Sequence, residues 1–298
     1  MIVVKFVMFA VLLFLSPFLQ ASDSIQTEIK TYEIESLDTL IEIFTKYNYT
    51  SRAWKAGHRE VPRFMFEEVG ENWKKTSKYL PVKLKKEVFF RLMAPLVLIS
   101  NENILKEREV VKTAAISSQA LILLAQKYNV IDSDATSMTE VERIKLLNRV
   151  DIMPPSLALA QAAEESGWAT SRFTEQGNAF FGQWDFSGNG MVPKQQRKEL
   201  GNYGIRRFDS PLASVEGYML NINVSRAYQK LRDVRANLRR NQEAITGLVL
   251  ADTLDKYSER GQAYIDSIKT MITYNRLQEV DECYLSTNEV IRLVSAKK

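Results

Sequence analysis

The sequence predicts a mainly α-helical domain carrying one small, irregular β-hairpin. Apolar residues recur at helical spacing from Leu84 to Val130 and again beyond Ser210. Between them, Pro154-Pro155-Ser156 stops one helix and launches the next. Glycines at 182, 188, 190, 201 and 204 then break the helical pattern into turns and strand-like pieces over 190–197 and 203–208. A chain of 298 residues, 45% hydrophobic and 26% charged, has enough apolar material to bury a sizeable core.

Taken in order, residues 1–21 read as a secretory signal: Lys5, an apolar run from Phe6 to Leu15, a Ser-Pro break, and Leu19-Gln20-Ala21 as a small-residue cleavage context. The rival is a retained anchor, but that run is short of the roughly 20 apolar residues a bilayer crossing needs. The expected product is exported, periplasmic or envelope-associated, with no stable membrane span. Residues 22–83 form an N-terminal extension of uncertain structure with one helix over "ESLDTLIEIFTKYN". Residues 84–278 form the main domain, in which Pro95 and "SNEN" divide the first long apolar region into two or more helices. Ser137 or Thr139 caps the helix that follows. Residues 279–298 are a C-terminal extension.

The composition excludes several chemistries. His58 is the single histidine and Cys283 the single cysteine, so a His-rich metal site and an intramolecular disulfide are both ruled out. No phosphate-cradling or dinucleotide fingerprint is present, and no cofactor is expected. A net charge of +4 is too weak to imply nucleic acid without a clustered basic patch. Carboxylates remain the plentiful reactive groups.

Among them Glu165 stands out. The stretch "LALAQAAEESGW" places Ala158, Ala162 and Glu165 on one helical face, with small residues upstream that let neighbours approach closely. A carboxylic acid at such a helix end, facing a partly apolar cleft, has its pKa raised by desolvation and stays protonated to donate to a leaving oxygen. Glycoside cleavage needs such an acid. The plainer reading is a solvated or ion-paired helix terminus. Glu164 points about a quarter-turn away, with Arg172 and Arg206 as candidate partners.

The segment "RVDIMPPSLALAQAAEESGWATSRFTEQGNAFFGQWDF", Arg149 to Phe186, resembles the bacterial Bax family and the wider glucosaminidase domains of autolysins and flagellar peptidoglycan hydrolases. It carries their "AQAxxESGWGxS" and "NxxFG" motifs in order. Downstream, "YGIRRFDSPLASVEGYMLNIN" is similar to the family's "FRxYxS" segment, and "YSERGQAYIDSIKTMITYNRL" to its "YATDxxYxxxI" ending. The resemblance covers about two thirds of the chain, Leu84 to Leu277. It implies a lysozyme-like helical domain that cuts β-1,4 bonds of peptidoglycan glycan strands as an N-acetylglucosaminidase, with Glu165 as catalytic acid and Tyr257 lining the cleft. Asn178, Phe181 and Gly182 match "NxxFG", the Asn pinning the loop and the Phe packing on the catalytic helix. Asn178, Trp184, Tyr203 and Tyr257 are the candidate substrate contacts, the aromatics by stacking on sugar faces. Glycan strands are the expected partner, with envelope proteins a further class.

Two departures qualify the resemblance. Glucosaminidases carry a second acid in the β-hairpin, where this chain reads "MVPKQQRKE", with Lys194, Gln195, Gln196 and Arg197 at the expected place; Asp185 and Glu199 are the nearest carboxylates. Ala169 replaces the usual Gly after Trp168, an exchange a helix end tolerates if φ stays negative. The missing acid leaves open a lytic transglycosylase using the same Glu, or an inactive peptidoglycan-binding envelope protein.

Overall fold

Val82–Thr113 form one unbroken helix, and much of the chain packs along it. The computed structural model describes residues 29–70, 73–196 and 201–296. The expected signal over residues 1–21 lies outside the described residues, as do Arg197 and Glu199. In chain order the elements are β1 (Ile29–Ile34), α1 (Leu37–Lys46), α2 (Ser51–Lys55), β2 (Glu60–Phe66), α3 (Trp73–Thr76), α4 (Val82–Thr113), α5 (Gln119–Lys127), α6 (Glu140–Arg149), α7 (Pro155–Ser166), α8 (Arg172–Gly177), β3 (Trp184–Asp185), β4 (Gly204–Ile205), α9 (Pro211–Val224), α10 (Gln229–Arg240), α11 (Gly247–Ala251), α12 (Gln262–Tyr274) and β5 (Tyr284–Ser295). A 3-10 turn, Leu277–Glu282, joins α12 to β5. The expected mainly helical domain with a small β element is what the chain forms.

The expected division of α4 does not occur. Pro95 is buried within the helix, where packing on both sides outweighs the roughly 3 kcal/mol that an interior proline costs. The polar residues after it are spent on tertiary bonds: Asn101 Nδ2 donates to Met153 O at 2.7 Å and its Oδ1 accepts from Met153 N at 3.0 Å. A helix apolar on several faces is a buried one. The most apolar stretch of α4 is long enough to cross a membrane by composition, yet 61% of it is buried inside the protein.

Local caps set the other boundaries. Ser36 caps α1 through Thr39 N, and Thr139 forms a full capping box with Glu142 at the start of α6. In the glycine-rich region the described hairpin is smaller than expected: Trp184 and Asp185 pair antiparallel with Ile205 and Gly204, and of the described residues in the 190–197 piece Met191 alone bridges to Ile205. Helical spacing over "TGLVLADTLDKYSER" yields only the short α11, after which the chain turns.

The two extensions, remote in sequence, share one sheet. β5 lies between β1 and β2, parallel to both, with Ile29 opposite Val290 and Phe64 opposite Ile291. Leu40 and Phe44 of α1 cover it, and Val88 and Leu98 of α4 complete this second core with Val61, Phe64, Ile291 and Leu293. The opposite side of α4, through Phe89, Met93, Leu96, Val97 and Ile104, belongs to the larger helical core. One helix thus serves as a wall for both.

Candidate active site

Small residues make α7 the most enclosed helix of the domain. Every residue from Pro155 to Ala163 is buried, against α4, α11, α12 and the 3-10 turn. Gly247 allows the tightest approach: a Cβ there would meet Ser156 Oγ at 2.1 Å and Leu157 N at 2.8 Å. Pro154 offers no side-chain cap. Asp281, from the 3-10 turn, supplies one, accepting from Ser156 N at 2.8 Å, Ser156 Oγ at 2.7 Å and Gly247 N at 3.1 Å. A carboxylate also suits the positive end of the helix dipole. The loop leading into α7 is anchored by the fully buried Arg235, which donates to Asp151 O at 3.0 Å and Ile152 O at 2.9 Å, while Arg239 Nε holds the Asp151 carboxylate at 2.7 Å.

Only the last turn of α7 emerges. Glu165 projects there into a cleft of about 1420 Å³ walled by α4, α9, the hairpin and the turn around Tyr257 to Arg260. Its Oε1 accepts from Tyr264 Oη at 2.8 Å. Gln161 Nε2 donates to that same hydroxyl at 3.1 Å, and Gln161 Oε1 accepts from Tyr218 Oη at 2.5 Å. Glu165 Oε2 faces Gly182, where an added Cβ would lie 3.9 Å away; φ at Gly182 is +62°, which a side chain would strain. Solvent reaches the carboxyl through the open mouth, but the walls strip away much of its water. That desolvation raises its pKa, with the Glu164 charge adding and the Tyr264 hydrogen bond and Arg260 opposing.

Glu164 pairs with neither Arg172 nor Arg206. It accepts from Arg260 Nη1 at 2.6 Å and Ser267 Oγ at 3.3 Å, because the quarter-turn that separates it from Glu165 aims it at the start of α12. Arg172 donates to Val192 O instead, and Arg206 lies over the Phe208 ring in the cleft wall.

Trp184 and Tyr257 line the cleft. Trp184 is 47% exposed and meets the exposed Phe186 edge-on. Tyr257 stacks on Tyr264 at 5.4 Å between ring centres. Tyr203 is buried behind Trp184, 4.9 Å away, and is not part of the wall. Asn178 also stands back from the cleft: it ends α8 at φ +51° and its Nδ2 bonds Glu67 O at 3.1 Å and Phe208 O at 3.2 Å. Phe181 packs flat on Tyr218 at 4.0 Å.

The expectation of negative φ at Ala169 is overturned. Gly167, Trp168 and Ala169 are all left-handed, at +57°, +62° and +61°. Ser166 Oγ accepts from Ala169 N at 2.9 Å and Trp73 Nε1 donates to Trp168 O at 3.0 Å, so the turn is held from both sides. As for a second acid, Asp185 is turned away, accepting from Ser187 N at 2.8 Å. Among the described hairpin residues no carboxylate lines the cleft; Glu107, Asp209, Glu216 and Glu259 do so from other elements.

Gln161, Tyr264 and Arg260 were not singled out from the sequence. For Gln161 a signal existed: it is a lone polar residue in an Ala/Leu helix, four before Glu165 and so on the same face.

Residues 142–277, spanning α7 through α12, match the glucosaminidase family model, described as mannosyl-glycoprotein endo-beta-N-acetylglucosaminidase. Protein bax of Escherichia coli (strain K12) is 30% identical over 199 residues, covering 64% of this chain and 70% of that protein. No solved structure matches. With a mainly helical domain, a buried helix delivering a carboxyl to a cleft, and these two matches, the chain belongs to the glucosaminidase-domain family of peptidoglycan hydrolases, glycoside hydrolases related to the Bax-like proteins.

Proposed function

We propose that the chain is an exported N-acetylglucosaminidase that cuts β-1,4 bonds of peptidoglycan glycan strands, with Glu165 as general acid. The observation that carries this is the emergence of Glu165 from an otherwise buried helix into the cleft, with its pKa raised by desolvation. A carboxyl whose pKa is raised holds its proton to higher pH than a free glutamate and can pass it to the glycosidic oxygen as the C–O bond breaks. Positive charge then develops at the anomeric carbon. The 2-acetamido oxygen of the sugar can attack from the opposite face, after which water opens the intermediate with Glu165, now a carboxylate, accepting its proton. This route needs no hairpin carboxylate. Trp184 and Phe186 offer faces on which sugar rings stack, and Tyr257 forms the wall beside the acid.

The want of a cleft-lining carboxylate among the described hairpin residues favours a second reading, a lytic transglycosylase that closes a 1,6-anhydro ring without water. Digesting purified sacculi with the protein and with Glu165→Gln, then identifying the new ends by mass spectrometry, separates the two. Reducing N-acetylglucosamine ends support the first, anhydro-muramic ends the second. Undiminished cleavage by Glu165→Gln refutes the site, and binding without products from either protein points to a peptidoglycan-binding envelope component.

A further inference from the structure

We propose that Tyr264, aimed by Gln161, is a positioning residue that decides which oxygen of Glu165 carries the proton, holding Oε1 as an acceptor and leaving the proton on Oε2. This rests on the reading of Glu165 as general acid. Three hydrogen bonds run in one direction: Tyr218 Oη to Gln161 Oε1, Gln161 Nε2 to Tyr264 Oη, Tyr264 Oη to Glu165 Oε1. Tyr264 has a single proton to give. Because its oxygen accepts from Gln161, that proton is directed to Glu165.

The direction is set at the far end. Reversing the Gln161 amide would turn Nε2 toward Tyr218 and draw the Tyr264 proton back onto Oε1 of Gln161. Tyr218 is buried beneath Phe181, and Gln161 is its one hydrogen-bond partner among the described residues. The reversed amide would therefore strand a buried hydroxyl proton, at a cost of about 1–3 kcal/mol. Nor can the tyrosines ionise to escape this, since burial and the Glu165 charge push the Tyr264 hydroxyl up and burial does the same to Tyr218.

With Oε1 occupied, the acidic proton rests on Oε2, the oxygen facing Gly182. In the bond-breaking step that proton passes to the glycosidic oxygen, the sugar C–O electron pair leaves with that oxygen, and Glu165 becomes a carboxylate. The Tyr264 bond then turns charge-assisted and strengthens as the negative charge appears. Interactions that grow only along the reaction raise kcat rather than binding. The other groups facing the carboxyl are Glu164 on its own helix, Arg260 and Tyr257 from the turn before α12, Tyr218 from α9 and Tyr228 after it. Oε1 takes its hydrogen bond from Tyr264 and not from these groups.

The test is twofold. A neutron structure of the unaltered protein, crystallised below the Glu165 transition, should show deuterium on Oε2 and the Tyr264 deuteron pointing at Oε1. Deuterium on Oε1, or the Tyr264 deuteron turned to Gln161, overturns the proposal, and neither observation depends on turnover. In Tyr264→Phe the carboxylate loses its donor, so the 13C-detected titration of Glu165 and the alkaline limb of kcat should both move to higher pH. We expect kcat to fall about tenfold with KM unchanged. An unmoved limb with equal loss in KM would show that Tyr264 only packs. Sacculus cleavage that is lost in Glu165→Gln but keeps its pH profile in Tyr264→Phe would sink this inference alone. Cleavage that persists in Glu165→Gln would sink the general-acid reading.

Discussion

Glu164 and Glu165 adjoin in the chain, and about 100° of helical rotation sends them to different fates. Glu164 is spent on Arg260, while Glu165 faces the cleft. The raised pKa of Glu165 has a thermodynamic sign. Below its unfolded value the group is protonated in both states, and stability is lost as pH rises through the folded value, because the carboxylate must ionise where the cleft walls leave it less hydrated than in the unfolded chain. Glu165→Gln should therefore raise Tm more at neutral pH than at about pH 4, checked by calorimetry at both. A gain independent of pH would refute the desolvated acid. Ala169 is legible only in part: the sequence shows a non-glycine after Trp168, but φ is set by Ser166 and Trp73, which no local pattern reveals. Ala169→Gly relieves about 1–2 kcal/mol of left-handed strain, and loses a buried methyl and chain stiffness of similar size. Its stability should stay within about 1 kcal/mol of the parent, whereas Ala169→Val, β-branched in the same conformation, should lose about 2–3 kcal/mol in urea melts.

Among the elements, α7 was read well because its signals are local: Pro155 at the first turn, Gly167 at the end, small residues between. What caps its first turn was hidden, since Asp281 comes from 125 positions away. Asp281→Ala leaves Ser156 N and Gly247 N without their acceptor and should cost about 2–3 kcal/mol by denaturant unfolding. It should also lower glycan cleavage through the misplaced α7. The helix α4 was misread for the complementary reason: Pro95 and Asn101 are breakers by local rule, and tertiary partners overrule them. In the hairpin, Trp184→Ala should weaken binding of N-acetylglucosamine oligomers by about 1 kcal/mol, about fivefold in Kd, with the fold intact. Tyr203→Phe should leave binding unchanged, because that ring stands behind Trp184.

At the scale of the molecule, the helical two thirds could be read from periodicity and motif order, but the sheet could not. Its strands come from opposite ends of the chain, so neither shows a hairpin signal, and the pairing of residue 29 with residue 290 is invisible to any window. Deleting residues 284–296 removes the central strand, leaving β1 and β2 unpaired and Phe64 and Val88 without Ile291 and Leu293. The truncated chain should lose its cooperative melt and become protease-sensitive up to α4, even though Asp281 and the whole cleft wall are retained. A truncation that melts as the parent does would show that the sheet and helical core are independent.

Strand order also imposes an order in time. β1 and β2 leave the ribosome long before the strand that joins them. Until then the first third of the chain has no partner with which to close its sheet, and the long-range pairing is entropically slow to form. A protein built this way cannot finish folding from its N-terminus forward. Its sheet stays open, with its first strands unpaired, until β5 has been made.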